Sequence, residues 1–158
     1  MAFLQIDYKS EALMRGVNVK VILPSDGMAG KWEPTHKTLY LLPGYSATAT
    51  ELITYLGLRG QSELKGIAIV LPDGENLFYQ DLPDRMTFYS TYVGKELVEV
   101  TRKMLPLSTK REDTFIGGIS MGGYGALYNG FKYRDTFSKV VAFSPASDAY
   151  MLLAEADA

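Results

Sequence analysis

The sequence predicts an α/β fold, a mostly parallel sheet covered by helices on both faces. Three observations carry that expectation. The runs Thr38–Leu42, Gly66–Leu71 and Val140–Phe143 are apolar throughout rather than alternating, as strands buried on both faces are. Segments with helical spacing separate them, so strand and helix alternate along the chain. Finally, glycines crowd around one serine, at Gly117, Gly118, Gly122, Gly123 and Gly125, where a strand-like run meets a helix-like one.

Taken in order, Phe3–Tyr8 and Val17–Leu23 alternate well enough for two strands, with Val17, Val19, Val21 and Leu23 on one face. The Arg15-Gly16 step between them predicts a hairpin, so these two strands are expected to be antiparallel. Residues 24–34, with two prolines, read as loop. Thr38–Leu42 is a buried strand closed by Pro43-Gly44, and Ala49–Leu58 is helical. Gly66–Leu71 is a strand stopped by Pro72-Asp73-Gly74. Ser90–Leu105 is the strongest helix, with Ser90 as N-cap, a stripe of Val93, Leu97, Val100 and Met104, and Pro106 as its end. Thr114–Ile119 is a strand, Gly122–Lys132 a helix and Val140–Phe143 the last strand. Residues 146–158 read as a short helix or a frayed end.

Composition narrows the function classes. A chain of 158 residues fits one domain with a real core. Its net charge of −2 and pI near 5.4 give no electrostatic reason to expect nucleic acid or an anionic membrane as partner. There is no cysteine, which removes disulfides and thiolate metal sites and is compatible with a cytoplasmic location. The first residues lack the basic and apolar regions of a signal peptide, and no window approaches 18 uninterrupted apolar residues. No cluster of His, Asp or Glu has metal-ligand spacing, so neither metal nor cofactor is expected.

Gly118-Ile119-Ser120-Met121-Gly122 is a G-x-S-x-G pentapeptide between a predicted strand and a predicted helix. There the serine sits on a sharp strand-to-helix turn that exposes its Oγ, and Gly118 and Gly122 let the backbone close without a Cβ clash. That pattern points to acyl transfer through a serine nucleophile. A P-loop is excluded because no lysine follows the glycines. A dinucleotide fingerprint is only half met, since position 128 is Tyr. A glycine-rich turn with an incidental serine is the bland alternative. Against catalysis stands the histidine count: the sole histidine, His36, precedes the serine.

Several segments together resemble the esterase D and tributyrin esterase group of α/β-hydrolases. They are Leu39-Tyr40-Leu41-Leu42 with Gly44-Tyr45-Ser46, Val70-Leu71-Pro72-Asp73-Gly74, the run Leu107–Asp113 and the run Phe115–Leu127. The resemblance extends from the first strands to Ser144. It implies an α/β-hydrolase-type sheet truncated after the strand that follows the elbow helix, a single domain over 1–158 whose acid- and histidine-bearing part is missing. By the same resemblance Ser120 is the nucleophile of a carboxylesterase for short-chain acyl esters. The backbone N–H groups of Tyr45 and Met121 form its oxyanion hole. The group usually has His-Gly where this chain has Pro43-Gly44, which removes a side chain that could brace the loop.

The order Ser, acid, His expected of this fold is incomplete here. His36 precedes the strand that leads to Tyr45, so a strand of about six residues, ~20 Å long, separates it from the carboxyl ends where such sites lie. It reads as a solvent-exposed loop histidine. Asp148, Glu155 and Asp157 follow the last strand but read as solvated terminal charges. Two functions therefore stand: a serine esterase whose base is elsewhere, or a non-catalytic binding module with the esterase fold. A bare apolar edge at Val140–Phe143 would invite self-association or pairing with another chain.

Overall fold

The computed structural model describes residues 1–25 and 34–146. Among these residues six strands form one sheet: β1 (Ala2–Ser10), β2 (Arg15–Leu23), β3 (Lys37–Leu42), β4 (Ile67–Pro72), β7 (Thr114–Ile119) and β8 (Lys139–Phe143). Their spatial order is β1-β2-β4-β3-β7-β8. β1 pairs with β2, and β2 with β4, antiparallel; β4, β3, β7 and β8 run parallel. A two-residue hairpin, β5 (Asp81–Leu82) and β6 (Thr87–Phe88), lies apart.

The hairpin between β1 and β2 exists as expected, but Arg15 and Gly16 are already paired strand residues, opposite Ser10 and Lys9. The reversal lies at residues 11–14, where Met14 takes φ 54° and Ser10 Oγ accepts from Leu13 N at 3.1 Å. Nothing at Gly16 needs the freedom of a glycine.

The predicted helix Ala49–Leu58 is two helices, α1 (Ala49–Tyr55) and α2 (Leu58–Lys65), broken by Gly57 at φ 60°. Thr48 and Glu51 close a capping box on α1, with Thr48 N donating to Glu51 Oε2 at 2.8 Å and Glu51 N to Thr48 Oγ1 at 3.3 Å. Gly66 belongs to the end of α2 in a left-handed conformation, not to the strand.

The long helix departs further. It comprises α3 (Tyr89–Thr91), a π-helical stretch Tyr92–Glu96 and α4 (Leu97–Met104). Ser90 is not its N-cap. Asp81 serves that end instead, its Oδ1 accepting from Thr91 N at 2.9 Å, while Ser90 is buried and its Oγ donates to Asn129 Oδ1 at 2.7 Å. The π stretch inserts a residue into the turn and rotates the later face. Val93 and Leu97 are buried as expected, but Val98 and Thr101 join them, and Met104 is 54% exposed.

Helices cover both faces. On one, α1 and α2 place Ala49, Leu52 and Leu58 against Ile22, Leu41, Ile69 and Leu71. On the other, Tyr89, Tyr92, Val93 and Leu97, with Ala126 of α5 (Met121–Lys132), pack on Val19, Val21, Tyr40 and Ile116.

That second core is rich in tyrosines, which makes the fold sensitive to alkali. Burial, with a smaller contribution from Glu75, pushes the Tyr89 phenol up to about 12. Burial likewise holds Tyr40, Tyr79 and Tyr92 above the usual tyrosine range. The folded state keeps these protons while the unfolded chain releases them near the ordinary value of ~10. Their stabilisation is therefore complete below pH ~10 and is lost as pH rises toward the folded values, at ~1.4 kcal/mol per pH unit for each group. The urea midpoint is expected to hold between pH 7 and 9 and to fall steeply above pH 10. A midpoint flat to pH 11.5 would contradict this.

Candidate active site

The carboxyl ends of β3 and β7 lie side by side, with Leu42 opposite Gly118. β7 runs into Ser120 and the chain turns at once into α5, so Ser120 is the hinge residue, at φ 55° and ψ −116°. Few L-residues adopt that conformation, and its cost is borne by the surroundings. Ser120 N donates to Phe143 O at 2.9 Å, and Ser120 O accepts from Tyr124 N at 3.0 Å and Ala146 N at 3.1 Å. The hinge is thus held from α5 and from the end of β8.

The glycines around it are required by close backbone approach. A Cβ on Gly118 would run into the Gly122 carbonyl, and one on Gly122 into the Leu42 carbonyl. One on Gly44 would lie 3.2 Å from Ile119 O and 3.4 Å from Ser120 Cβ, so the loop after β3 lies directly against the turn. Met121, the first residue of α5, is buried, and like any first-turn residue it has no intrahelical partner for its N–H. Tyr45 stands on the facing loop with its side chain 60% exposed. The structure therefore brings together Ser120, Gly44-Tyr45 and the start of α5. The Gly44 backbone and the start of α5, the positive end of a helix, thus meet at Ser120.

His36 is not among them. It lies just before β3, bridged in parallel to Leu107; His36 N donates to Pro106 O at 2.9 Å and His36 O accepts from Ser108 N at 2.9 Å. It is at the far end of the sheet as expected. It is buried rather than exposed, at 6%, because the bridge to Leu107 extends the sheet past the apolar run. Asp148, Glu155 and Asp157 lie outside the described residues. Among the described residues no group of three or more His, Cys, Asp or Glu could hold a metal, and no helix is long and apolar enough to cross a membrane.

Sequence reasoning missed what holds the loop 43–49. Asp73 Oδ1 accepts from Ala49 N at 2.6 Å, Asn76 Oδ1 from Ser46 N at 2.7 Å, and Tyr79 Oη donates to Pro43 O at 2.8 Å. All three come from the segment after β4, in which Asn76, Phe78 and Tyr79 have positive φ. Three non-glycine residues in left-handed conformation within four positions is the kind of strain that clusters at functional sites. An aromatic row flanks the same loop. Tyr45 meets Phe78 at 6.4 Å between ring centroids, and Phe78 meets Tyr124 edge-on at 5.8 Å.

Among protein families, the Esterase family matches residues 10–153. The chain belongs to the Esterase family. A curated relative, an acetyl esterase of Caldicellulosiruptor saccharolyticus, is 40% identical over 92% of this chain. An S-formylglutathione hydrolase of Paracoccus denitrificans is 29% identical over 87%. This Esterase-family chain spans 57% and 55% of those two proteins. Of solved structures, the substrate-bound serine hydrolase FphF of Staphylococcus aureus superposes with a TM-score of 0.85 at 29% identity, covering 96% of this chain and 60% of that one. The S-formylglutathione hydrolase FrmB of the same organism gives 0.79 at 30% identity, over 91% of this chain and 57% of its own. The fold of the Esterase-family chain is thus the α/β-hydrolase type, matched over somewhat more than half of each neighbour.

Proposed function

We propose that this chain is the nucleophile-bearing part of a serine carboxylesterase that cleaves short-chain acyl esters through an acyl-enzyme on Ser120. The observation that carries the reading is the strained Ser120 hinge between β7 and α5, with the Gly44 backbone against it. Ser120 Oγ attacks the acyl carbon while a base takes its proton. The N–H groups of Tyr45 and Met121 receive the oxyanion, each worth roughly 2.7–4 kcal/mol at the transition state. Collapse breaks the bond to the alcohol, which leaves with a proton. Water then attacks the acyl-serine, returning the proton to Ser120 and releasing the acid.

The base comes from outside these 158 residues, because the one histidine lies at the other end of the sheet. The relatives are longer than this chain, which is consistent with an acid and a histidine supplied by further sequence or by another chain pairing along β8. Among the described residues that strand is the last in the sheet order, and its Val141 and Phe143 are 44% and 57% exposed. The position of His36 also keeps the second reading in view, a non-catalytic module with the esterase fold.

Added imidazole separates the two. It can act as a free base beside Ser120, as a missing histidine would. The 158-residue chain alone is expected to hydrolyse p-nitrophenyl butyrate no faster than its Ser120→Ala variant. With imidazole present, the unsubstituted chain should exceed the variant in the same buffer. Ser120-dependent turnover without imidazole would overturn the missing base. No difference at any imidazole concentration would favour the binding module.

A further inference from the structure

We propose that the segment after β4 aims the oxyanion loop at the reacting carbonyl, with Tyr79 as its anchoring, positioning residue. The inference rests on the reading of Tyr45 N–H as an oxyanion donor. A backbone donor is useful only if its peptide plane is fixed before the substrate arrives. Pro43-Gly44 is a poor start for that, because Gly44 has the freest backbone of any residue and Pro43 has no N–H through which to be tied.

The structure fixes three successive peptide planes through this stretch. Tyr79 Oη donates to Pro43 O, which holds the Pro43–Gly44 plane. Ala47 N donates to Gly44 O at 3.1 Å, which holds the Gly44–Tyr45 plane that carries the Tyr45 N–H. Asn76 Oδ1 accepts from Ser46 N, which holds the plane after it. Two of the three anchors come from residues 76–79, and only Tyr79 reaches the plane before Gly44.

Tyr79 is itself held on every side. Its ring is 1% exposed and meets the Tyr89 ring edge-on at 6.0 Å. A Cβ on Gly74 would collide with its hydroxyl, and one on Gly125 with its ring, so both glycines make room for it. Asn129, fully buried in α5, donates through Nδ2 to Tyr79 O at 3.1 Å and to Gly125 O at 2.9 Å. Burial first, then Tyr89 and Asp73, hold the phenol well above the usual tyrosine range, so the O–H remains a donor across working pH. The brace that a histidine at position 43 could supply is thus delivered from the neighbouring loop.

Tyr79→Phe removes one oxygen and keeps the ring, and an unchanged far-UV circular dichroism spectrum checks the fold. Two readouts follow. The 15N order parameters of Gly44 and Tyr45 should fall from the rigid range of about 0.85 toward 0.6, with core amides unchanged. Ser120-dependent hydrolysis in imidazole should lose ~10- to 100-fold in kcat with KM within about twofold, as expected for a misaimed donor. Unchanged order at Gly44 and Tyr45, or a change confined to KM, would overturn the proposal. If Ser120→Ala hydrolyses as fast as the unsubstituted chain, the esterase reading fails, and the order parameters still decide whether Tyr79 holds the loop. Should Tyr79→Phe not fold, Asn76→Ala tests the same device from an exposed anchor. Order lost at Tyr45 and Ser46 supports it, and order retained there refutes it.

Discussion

Replacing Gly122 by Ala is expected to cost about 3 kcal/mol or more, at or beyond the upper end for overpacking, out of the 5–15 kcal/mol that hold a domain of this kind folded. The reason is that nothing near the new methyl can yield. It would meet the Leu42 carbonyl carbon at 2.6 Å and the Pro43 oxygen at 2.6 Å, both backbone atoms of β3 and its loop. A flexible side chain could rotate away; a paired strand cannot. Relief would require α5 to lift from the sheet, which also moves Ser120 and the loop against it. Gly60→Ala is the matched control. Gly60 lies in α2 with nothing within 4 Å of its Cβ position, so alanine there should stabilise by ~0.5–1 kcal/mol through helix propensity. Urea denaturation of both variants decides the matter. A Gly122→Ala midpoint within error of the unsubstituted chain would show that the turn is looser than its geometry implies.

The parts of this fold that were legible in sequence are those set by local pattern. Thr114–Ile119 has the predicted bounds because the run leads straight into the Ser120 turn, whose flanking glycines leave little choice of where the strand stops. Ser120 was legible for the same reason: glycines two residues to either side are needed wherever a strand folds back into a helix this tightly. What was not legible depends on partners distant in sequence. α2 carries only two buried residues, Leu58 and Ser62, and a glycine in its middle, so its pattern is too weak to announce a helix. The π stretch arises where Gly94 lies under the Tyr133 ring, a contact across 39 positions that no helical period encodes. Ser90 looked like a cap by residue type, yet its hydroxyl is claimed by Asn129, and Asp81 of β5 accepts from the first turn of the helix instead. Tyr79 was invisible as a site residue because it acts on Pro43 through space, from a conformation that tyrosine rarely adopts. The strand-to-helix hinge at Ser120 was therefore readable, and the apparatus that holds the loop facing it was not.

Ser120→Gly should make the protein more stable while removing its proposed chemistry. At φ 55° and ψ −116° the serine pays a conformational cost of order 1–3 kcal/mol that glycine would not. Glycine also gives the unfolded chain more freedom, which takes back roughly 0.4–1 kcal/mol. The hydrogen bonds at this residue use its backbone N and O, so the substitution leaves them in place. The net expectation is a gain of about 1 kcal/mol, seen as a higher urea midpoint at unchanged slope. Ser120→Ala gives the contrast: it keeps the Cβ and so the strain, and its midpoint should stay close to that of the unsubstituted chain. Both variants lose the imidazole-dependent hydrolysis entirely, because neither has an oxygen to acylate. Equal midpoints for Ser120→Gly and Ser120→Ala would mean that the turn stores no strain. A Ser120→Gly chain that is more stable and catalytically dead would mean that the backbone is held in an unfavourable conformation to present that hydroxyl. A binding module that had no use for the nucleophile would have no reason to keep it so.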